Sequence, residues 1–236
     1  MGRGDWHRRT EWSDEIEADF DAHLRRARDK VQPLKVQAAV LAETHPDVAL
    51  RLIDRYFESG DHIYVSEAHQ VRAEAYVALG DVPRAIEAYR ACLAREAEFS
   101  GTITTSSLTF PLLIAERRLE AHYDEALYVL EAAKALYGGA IHLAFPIQRF
   151  EWHAARALIL DDLGRRDEAR AEARAALAEA GRESSGFSRH KSFGLVGDSH
   201  GALQERLTKL SSENERGSLL WKIWRRDAEQ RRARRH

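Results

Sequence analysis

Several residue types that carry protein chemistry are scarce in this chain of 236 residues. Its one cysteine, Cys92, excludes an intramolecular disulfide and a multi-cysteine zinc or iron–sulfur site. Only 5 prolines and 14 glycines are present, which favours long regular elements over a loop-rich fold. No apolar run approaches the roughly 18 residues of a transmembrane helix, and the amino terminus lacks the apolar segment of a signal peptide. We therefore expect a soluble, cytoplasmic protein.

Patterns that indicate catalysis are also sparse. The 11 histidines are scattered without the spacing of a metal site, and no phosphate-binding glycine loop occurs, so we expect no metal and no cofactor. Asp161-Asp162 lies at a predicted helix end, where we expect a solvated pair. Gly197-Asp198-Ser199-His200 resembles an esterase nucleophile block and a metallophosphoesterase block. Both families need a large α/β fold with further ligands downstream, so we interpret this stretch as a loop and helix cap. A hydrolase built on it is the least favoured alternative.

What the chain does have is helix-forming residues in a hairpin pattern. Hydrophobic residues make up 44% of the chain and charged residues 31%, with a visible bias towards Ala, Leu, Arg and Glu. The stretch 66–94 shows helical spacing on both sides of Gly80-Asp81, and Pro83 suits the start of the second helix. Small residues at Ala85 and Ala88 allow close approach, so the stretch predicts two antiparallel helices.

The same hairpin pattern recurs along the chain. An alanine near the start of each second helix falls at Ala49, Ala85, Ala126 and Ala169, at intervals of 36, 41 and 43 residues. A repeat of about 34 residues is typical of tetratricopeptide proteins, and the extra residues here fall in predicted loops. The pattern therefore predicts four helical repeats, at about 30–63, 66–99, 107–137 and 150–181.

These repeats resemble the tetratricopeptide repeat (TPR). The resemblance implies an all-α fold, in which TPR-like hairpins stack into a right-handed α-solenoid with terminal capping helices. We divide the chain into an amino-terminal arm, a repeat domain with its capping helix, a loop with a carboxy-terminal capping helix, and a basic tail that is either disordered or docked. These segments cover residues 1–13, 14–186, 187–214 and 215–236.

The beginning of the chain carries a second resemblance. Asp5-Trp6, Trp12 and the stretch from Phe20 to Arg28 resemble the opening of a group of bacterial helical-repeat proteins without an assigned function. The likeness implies that residues 5–30 belong to the fold as a capping helix, which the spacing places from Asp14 to Lys30. It implies no chemistry.

In TPR proteins the first helix of each repeat lines a concave groove, so the resemblance implies which residues face a partner. They are Leu34, Glu67, Gln70, Glu74, Arg118, Glu151 and Asp161. The lysine, asparagine and arginine clamp that grips a peptide carboxylate in one TPR variant is absent here. A mixed, acidic groove favours a basic or apolar partner segment. The expected function is a non-catalytic scaffold or adaptor that binds another protein.

The carboxy-terminal tail is a second candidate for function. From Glu215 onward the chain has eight Lys or Arg residues and three acidic ones, although the whole chain carries a net charge of −2. An apolar cluster precedes the arginines. The candidate contact residues are Trp221, Trp224, Arg225, Arg226, Arg231, Arg232, Arg234 and Arg235. The alternative function is therefore a nucleic-acid-associated protein that contacts phosphates through this tail.

Overall fold

The computed structural model describes residues 6–60, 62–99, 102–136, 145–186, 190 and 192–212, and these residues form helices, turns and loops without a strand. The all-α prediction is therefore confirmed. None of the helices in these ranges combines the length and the apolar character that crossing a bilayer requires. The basic tail at 215–236 lies outside the ranges, so its predicted contacts stay predictions.

The described part of the chain contains ten α-helices. They are α1 Asp14–Arg26, α2 Val31–Leu41, α3 Pro46–Glu58, α4 Val65–Ala78, α5 Val82–Glu98, α6 Ser106–Glu116, α7 Tyr123–Leu136, α8 Pro146–Asp162, α9 Arg166–Ala180 and α10, residues 201–212. Short 3₁₀ turns precede α7 at Glu120–His122 and α10 at Asp198–His200.

The chain divides into two compact units, Met1–Ser106 and Ser107–His236. In the first unit, α2 packs on α3, α3 on α4, and α4 on α5, and α4 also touches α2. Four alanines of the α4–α5 hairpin are at most 5% exposed, Ala68 and Ala75 on α4 and Ala85 and Ala88 on α5. Ala68 and Ala75 belong to the core that α4 shares with α1, α2 and α3. Small side chains at such positions let helix axes approach closely.

Helix α1 and the arm before it pack onto the first hairpin. Trp6 and Trp12 lie 5.2 and 5.6 Å from the ring of Phe20, which is 1% exposed and belongs to the core shared with α2 and α3. The capping role of α1 stays a prediction, and the helix ends four residues before the predicted Lys30. The reason is Asp29, whose carboxylate accepts hydrogen bonds from the backbone N–H groups of Val31 and Gln32 and so starts α2.

Three hairpin turns share the same backbone conformation. The second residue after the end of α4, α6 and α8 adopts a positive φ, which is 74° at Gly80, 52° at Arg118 and 76° at Gly164. In each case the next N–H donates to the carbonyl five residues earlier, as in Asp81 to Tyr76 and Leu119 to Ile114. Glycine is the residue expected there, so Arg118 is the exception.

In the second unit α8 and α9 form the most closely packed hairpin. Ala154, Ala157, Ala169 and Ala173 are fully buried along it. The indole Nε1 of Trp152 donates a 2.9 Å hydrogen bond to the carbonyl of Leu130 and so ties α8 to α7. Helix α8 begins at Pro146, four residues before the Phe150 that opens the predicted hairpin.

Helix α6 is buried on most sides, as its apolar sequence predicted. Leu108, Phe110, Leu113 and Ile114 are at most 6% exposed. The helix begins at Ser106, and Pro111 therefore lies inside it rather than at its start. Helix α10 matches the predicted carboxy-terminal helix and buries three leucines, Leu203, Leu207 and Leu210, each at most 6% exposed.

Candidate functional site

Three of the predicted groove residues lie together on α4. Glu67, Gln70 and Glu74 recur at intervals of three and four residues, so they share one side of the helix. All three are half-buried rather than freely solvated. Together with Lys35 of α2 and Glu96 of α5, they form what we term the α4 acidic face.

Lys35 is the cation that the structure places on the α4 acidic face. Its Nζ lies 3.7 Å from Oε1 of Glu67 and 4.4 Å from the centre of the Tyr64 ring. The other carboxylate oxygen of Glu67, Oε2, is buried and accepts no hydrogen bond from the part of the chain that the structure describes. A buried charged oxygen without a partner is costly, so this carboxylate has unused capacity to accept a donor.

Glu74 lies deeper in the same face. Burial raises the pKa of Glu74, a 2.6 Å hydrogen bond from Gln70 opposes that effect, and the charge of Glu43 adds to it. The amide of Gln70 also lies 2.9 Å from the hydroxyl of Thr105 in the loop that follows α5. The face is therefore a connected polar network rather than a row of independent surface charges.

Glu96 completes the face from α5. Its Oε1 accepts a 2.6 Å hydrogen bond from the backbone N–H of Thr104, which fixes the end of the loop between α5 and α6. Burial raises the pKa of Glu96, and the nearby charge of Glu67 adds to that effect. The face thus holds three carboxyl groups beside one lysine, and the pKa is raised at two of them, Glu74 and Glu96.

An open cleft of about 830 Å³ lies at the beginning of α4 and the end of α5. Ile63 and Phe99 line it and are 69% and 55% exposed, respectively. The guanidinium of Arg95 covers one side of the Phe99 ring at 3.6 Å and donates to the carbonyl of His62. The first unit therefore offers exposed apolar side chains as well as acidic ones.

Leu34 does not take part in this surface. Its side chain is 4% exposed and packs in the core formed by α1, α2, α3 and α4. Ala38, one turn further along α2, is fully buried in the same core. Helix α2 packs on α3 and its apolar positions lie in this core, so Lys35 rather than Leu34 reaches the α4 acidic face.

In the second unit Arg118 and the predicted acidic pair lie at helix ends. Arg118 occupies the left-handed position after α6, and its Nε lies 3.7 Å from Oδ1 of Asp162. The hydroxyl of Tyr123 donates a 2.5 Å hydrogen bond to Oδ2 of the same carboxylate. The expectation of a solvated pair is therefore wrong for Asp162, whose side chain is 14% exposed, while Asp161 is half-buried beside it.

Glu151 contacts the stretch that resembles a hydrolase block. Nε2 of His200 lies 3.6 Å from Oε1 of Glu151, and the hydroxyl of Ser199 lies 3.1 Å from Nδ1 of the same imidazole. Serine hydrolases also link a serine, a histidine and an acid, but there the serine meets Nε2 and the acid meets Nδ1, so the two imidazole nitrogens are exchanged here. The contact between Glu151 and His200 could not be seen in the sequence, because 48 residues separate the two.

The backbone around Ser199 serves the turn instead. An oxyanion hole needs N–H groups that are free to bind the developing charge. The N–H of His200 donates to the carbonyl of Gly197 at 3.2 Å, and the N–H of Gly201 donates to the carbonyl of Asp198. Both amides that follow the serine are thus committed to the 3₁₀ turn, so the geometry favours a structural role for this triplet.

Cys92 and the metal-ligating residues do not form a reactive site. Cys92 is fully buried, and burial raises the pKa of its thiol to about 11. The hydroxyl of Ser106 donates to its Sγ at 3.2 Å, which anchors the loop before α6. Across the ranges that the structure describes, no group of three or more His, Cys, Asp or Glu side chains could hold a metal ion.

Comparisons with protein-family models, with curated proteins and with solved structures find no match to this chain.

Sequence reasoning missed Lys35, Glu96 and Thr105 as parts of the α4 acidic face. Glu96 lies one turn after Cys92 on α5, and this spacing was the available signal that it shares the inner side of the helix. Thr105 belongs to a stretch that reads as an unstructured loop, and only its tertiary contact with Gln70 places it here.

Proposed function

We propose that this chain is a non-catalytic protein-interaction module, a right-handed α-solenoid of TPR type that binds a basic segment of a partner protein. The observation that carries the proposal is the charge balance of the α4 acidic face. Glu67, Glu74 and Glu96 oppose Lys35 alone, and Oε2 of Glu67 has no hydrogen-bond partner among the described residues.

A cationic side chain of a partner fits this imbalance. A lysine or arginine entering the face would donate to Glu67 and lower the energetic cost of the neighbouring carboxylates. Exposed Ile63 and Phe99, at the ends of the same two helices, offer apolar contact for adjacent residues of the segment. The partner is therefore a segment that combines basic and apolar residues, as the acidic groove predicted.

The experiment is a binding titration with fluorescent peptides of equal length, in which lysine, alanine or glutamate alternates with leucine. We expect the lysine series to bind more tightly than the glutamate series, with an affinity that falls as salt rises. The double variant Glu67→Lys/Glu74→Lys should weaken the lysine series by about tenfold or more. Glu87→Lys, at an exposed site on α5, is the control for a charge reversal outside the face and should retain wild-type affinity.

A pull-down with the same three proteins extends the test to natural partners. An unchanged set of captured partners in Glu67→Lys/Glu74→Lys would contradict the proposal.

The alternative of nucleic-acid binding rests on residues 215–236. Deleting them should abolish salt-sensitive nucleic-acid binding if that alternative is correct, and should leave peptide capture intact if the proposal is correct. Ser199→Ala tests the hydrolase alternative, because it would silence hydrolysis only in that case.

A further inference from the structure

Residues 192–200, which we term the strap, lie across the first turns of α8. The carbonyl of Gly194 accepts a 2.9 Å hydrogen bond from the backbone N–H of Ile147. This N–H belongs to the first turn of α8 and has no partner within the helix, so the strap satisfies a donor that would otherwise need water. Beside it, Phe193 meets the ring of Phe145 edge to face at 5.1 Å.

The end of the strap makes a second pair of contacts one turn further along α8. The imidazole of His200 meets the ring of Phe150 edge to face at 5.3 Å, and its Nε2 lies 3.6 Å from Oε1 of Glu151. The strap thus uses one backbone hydrogen bond, two aromatic contacts and one polar contact. These are the elements by which an extended peptide binds a helical surface.

The strap is held much less firmly than the surface beneath it. None of its nine residues is classed as buried, and Phe193 is 62% exposed. By contrast, Phe150 below it is fully buried, and Leu203 and Leu207 of α10 anchor the chain just beyond the strap. Segments with few buried side chains open at a small fraction of the cost of global unfolding. The strap can therefore leave while α8 and α10 stay folded.

Gly194 makes the close approach possible. Its φ is +75°, and a Cβ built there would lie 2.7 Å or less from three side-chain atoms of Phe145. Any residue with a side chain at this position would have to push the strap away from α8. The sequence analysis interpreted the end of this stretch, Gly197-Asp198-Ser199-His200, as a loop and helix cap, and it did not predict the contact of Gly194 with α8.

We propose that the first turns of α8 are a second peptide-binding surface, whose resident ligand is the strap. Its external ligand is a segment of a partner that adopts the turned conformation of the strap, with an aromatic residue followed by glycine, and with a hydrogen-bond-donating side chain such as His or Lys six residues after that glycine. The aromatic residue takes the place of Phe193, the carbonyl of the glycine binds Ile147, and the donor reaches Glu151. This surface is independent of the α4 acidic face, and either one can fail without the other.

The test first opens the strap. Gly194→Ala should speed hydrogen exchange of the Ile147 amide by about tenfold or more, because the new Cβ overlaps Phe145 and disfavours the positive φ. Gly186→Ala is the matched control, since Gly186 also has a positive φ, 88°, but has nothing within 4 Å of a built Cβ. The control should leave the exchange of Ile147 within about twofold of wild type.

The second step adds a synthetic, labelled peptide with the sequence of residues 192–204. It should bind Gly194→Ala saturably and wild type at least about tenfold more weakly, because the tethered strap competes at a high effective concentration. Adding Glu151→Lys to Gly194→Ala should reduce binding again, because it removes the carboxylate that His200 of the peptide contacts. Circular dichroism checks the fold, and His200→Ala, which leaves the backbone untouched, replaces Gly194→Ala if that variant is unfolded. Unchanged exchange of Ile147, or an opened variant that does not bind the peptide, would overturn the proposal.

Discussion

Gln37 binds the main chain of Arg9 through both of its hydrogen-bonding groups. Its Oε1 accepts from the backbone N–H of Arg9 at 2.9 Å, and its Nε2 donates to the carbonyl of Arg9 at 2.7 Å. Gln37 is fully buried in α2. This core side chain therefore binds both the N–H and the carbonyl of one residue of the amino-terminal arm, as a neighbouring β-strand does. Through this pair the arm keeps Trp6 and Trp12 against the core.

Replacing Gln37 by methionine should release the arm. The substitution keeps the length of the side chain but leaves the N–H and carbonyl of Arg9 without these two partners, at a cost of about 2 kcal/mol in the free energy of unfolding. Chemical denaturation measures the cost, and limited proteolysis should show cleavage within residues 6–13. Gln32→Met, on the exposed side of the same helix, should change stability by less than about 0.5 kcal/mol. Equal effects of the two variants would show that Gln37 contributes only as a packed side chain.

Replacing Arg118 by glycine should stabilise the protein. A side chain at a positive φ is strained, and the equivalent positions after α4 and α8 are Gly80 and Gly164. We expect Arg118→Gly to raise the free energy of unfolding by a few tenths to about 1 kcal/mol, less the exposed ion pair with Asp162 that it removes. Gly80→Ala should lower it by about 1 kcal/mol. Thermal unfolding measures both, and destabilisation by Arg118→Gly would mean that the contact with Asp162 outweighs the strain.

The turn at Arg118 also illustrates what the sequence could and could not predict. Gly80 and Gly164 mark the ends of α4 and α8, and the helices on either side were predicted from periodicity and from these breakers. The end of α6 carries no such signal, because the backbone there follows from the packing of a nearly buried helix. Local patterns thus predict the hairpins well.

The surfaces were harder to predict than the hairpins. Glu67, Gln70 and Glu74 were found because helical spacing alone puts them on one side of α4. The prediction that Leu34 lines the groove was wrong. An apolar residue on the first helix of a repeat has the same sequence pattern whether it lines a groove or fills the core beside α1. The contacts of Glu151 with His200 and of Gln70 with Thr105 join distant parts of the chain, and no spacing rule predicts them.

Glu74→Gln should stabilise the protein at neutral pH. Burial raises the pKa of Glu74, so the folded state holds the proton more tightly than the unfolded state does. The charged form therefore costs stability above this raised pKa, and the cost disappears as the pH falls through it. We expect Glu74→Gln to raise the free energy of unfolding by about 1 kcal/mol at pH 7 and to leave it unchanged near pH 4. Urea denaturation at both pH values measures this difference. A gain that did not depend on pH would show that the charge is not its cause.

The same substitution separates stability from binding. Glutamine keeps the shape of Glu74 and can still pair with Gln70, but it removes one negative charge from the α4 acidic face. The stabilised variant should therefore bind lysine-containing peptides more weakly than wild type does, and the difference should shrink at high salt. Such opposite effects on stability and affinity are expected where a surface is shaped for a ligand rather than for folding.

His69 should make the protein less stable in mild acid. Its ring lies 4.8 Å from that of Phe57, and burial, with a smaller contribution from the charge of Arg72, lowers the pKa of His69 from 6.5 to about 4. Between these two values the unfolded state takes up a proton that the folded state refuses, so stability falls as the pH drops from about 6.5 to about 4 and then levels off. After allowance for the partial solvent exposure of His69, we expect the free energy of unfolding to fall by about 1–2 kcal/mol over this pH range.

His69→Phe should remove this acid sensitivity. Phenylalanine keeps the aromatic contact with Phe57 and carries no proton, so the stability of the variant should depend less on pH between 7 and 4. His45→Phe, at the half-buried position before the first residue of α3, is the control for loss of a histidine and should retain the wild-type profile. Urea denaturation at intervals of half a pH unit measures the three profiles. If His69→Phe lost as much stability in acid as wild type does, the titrating group would have to lie elsewhere in the chain.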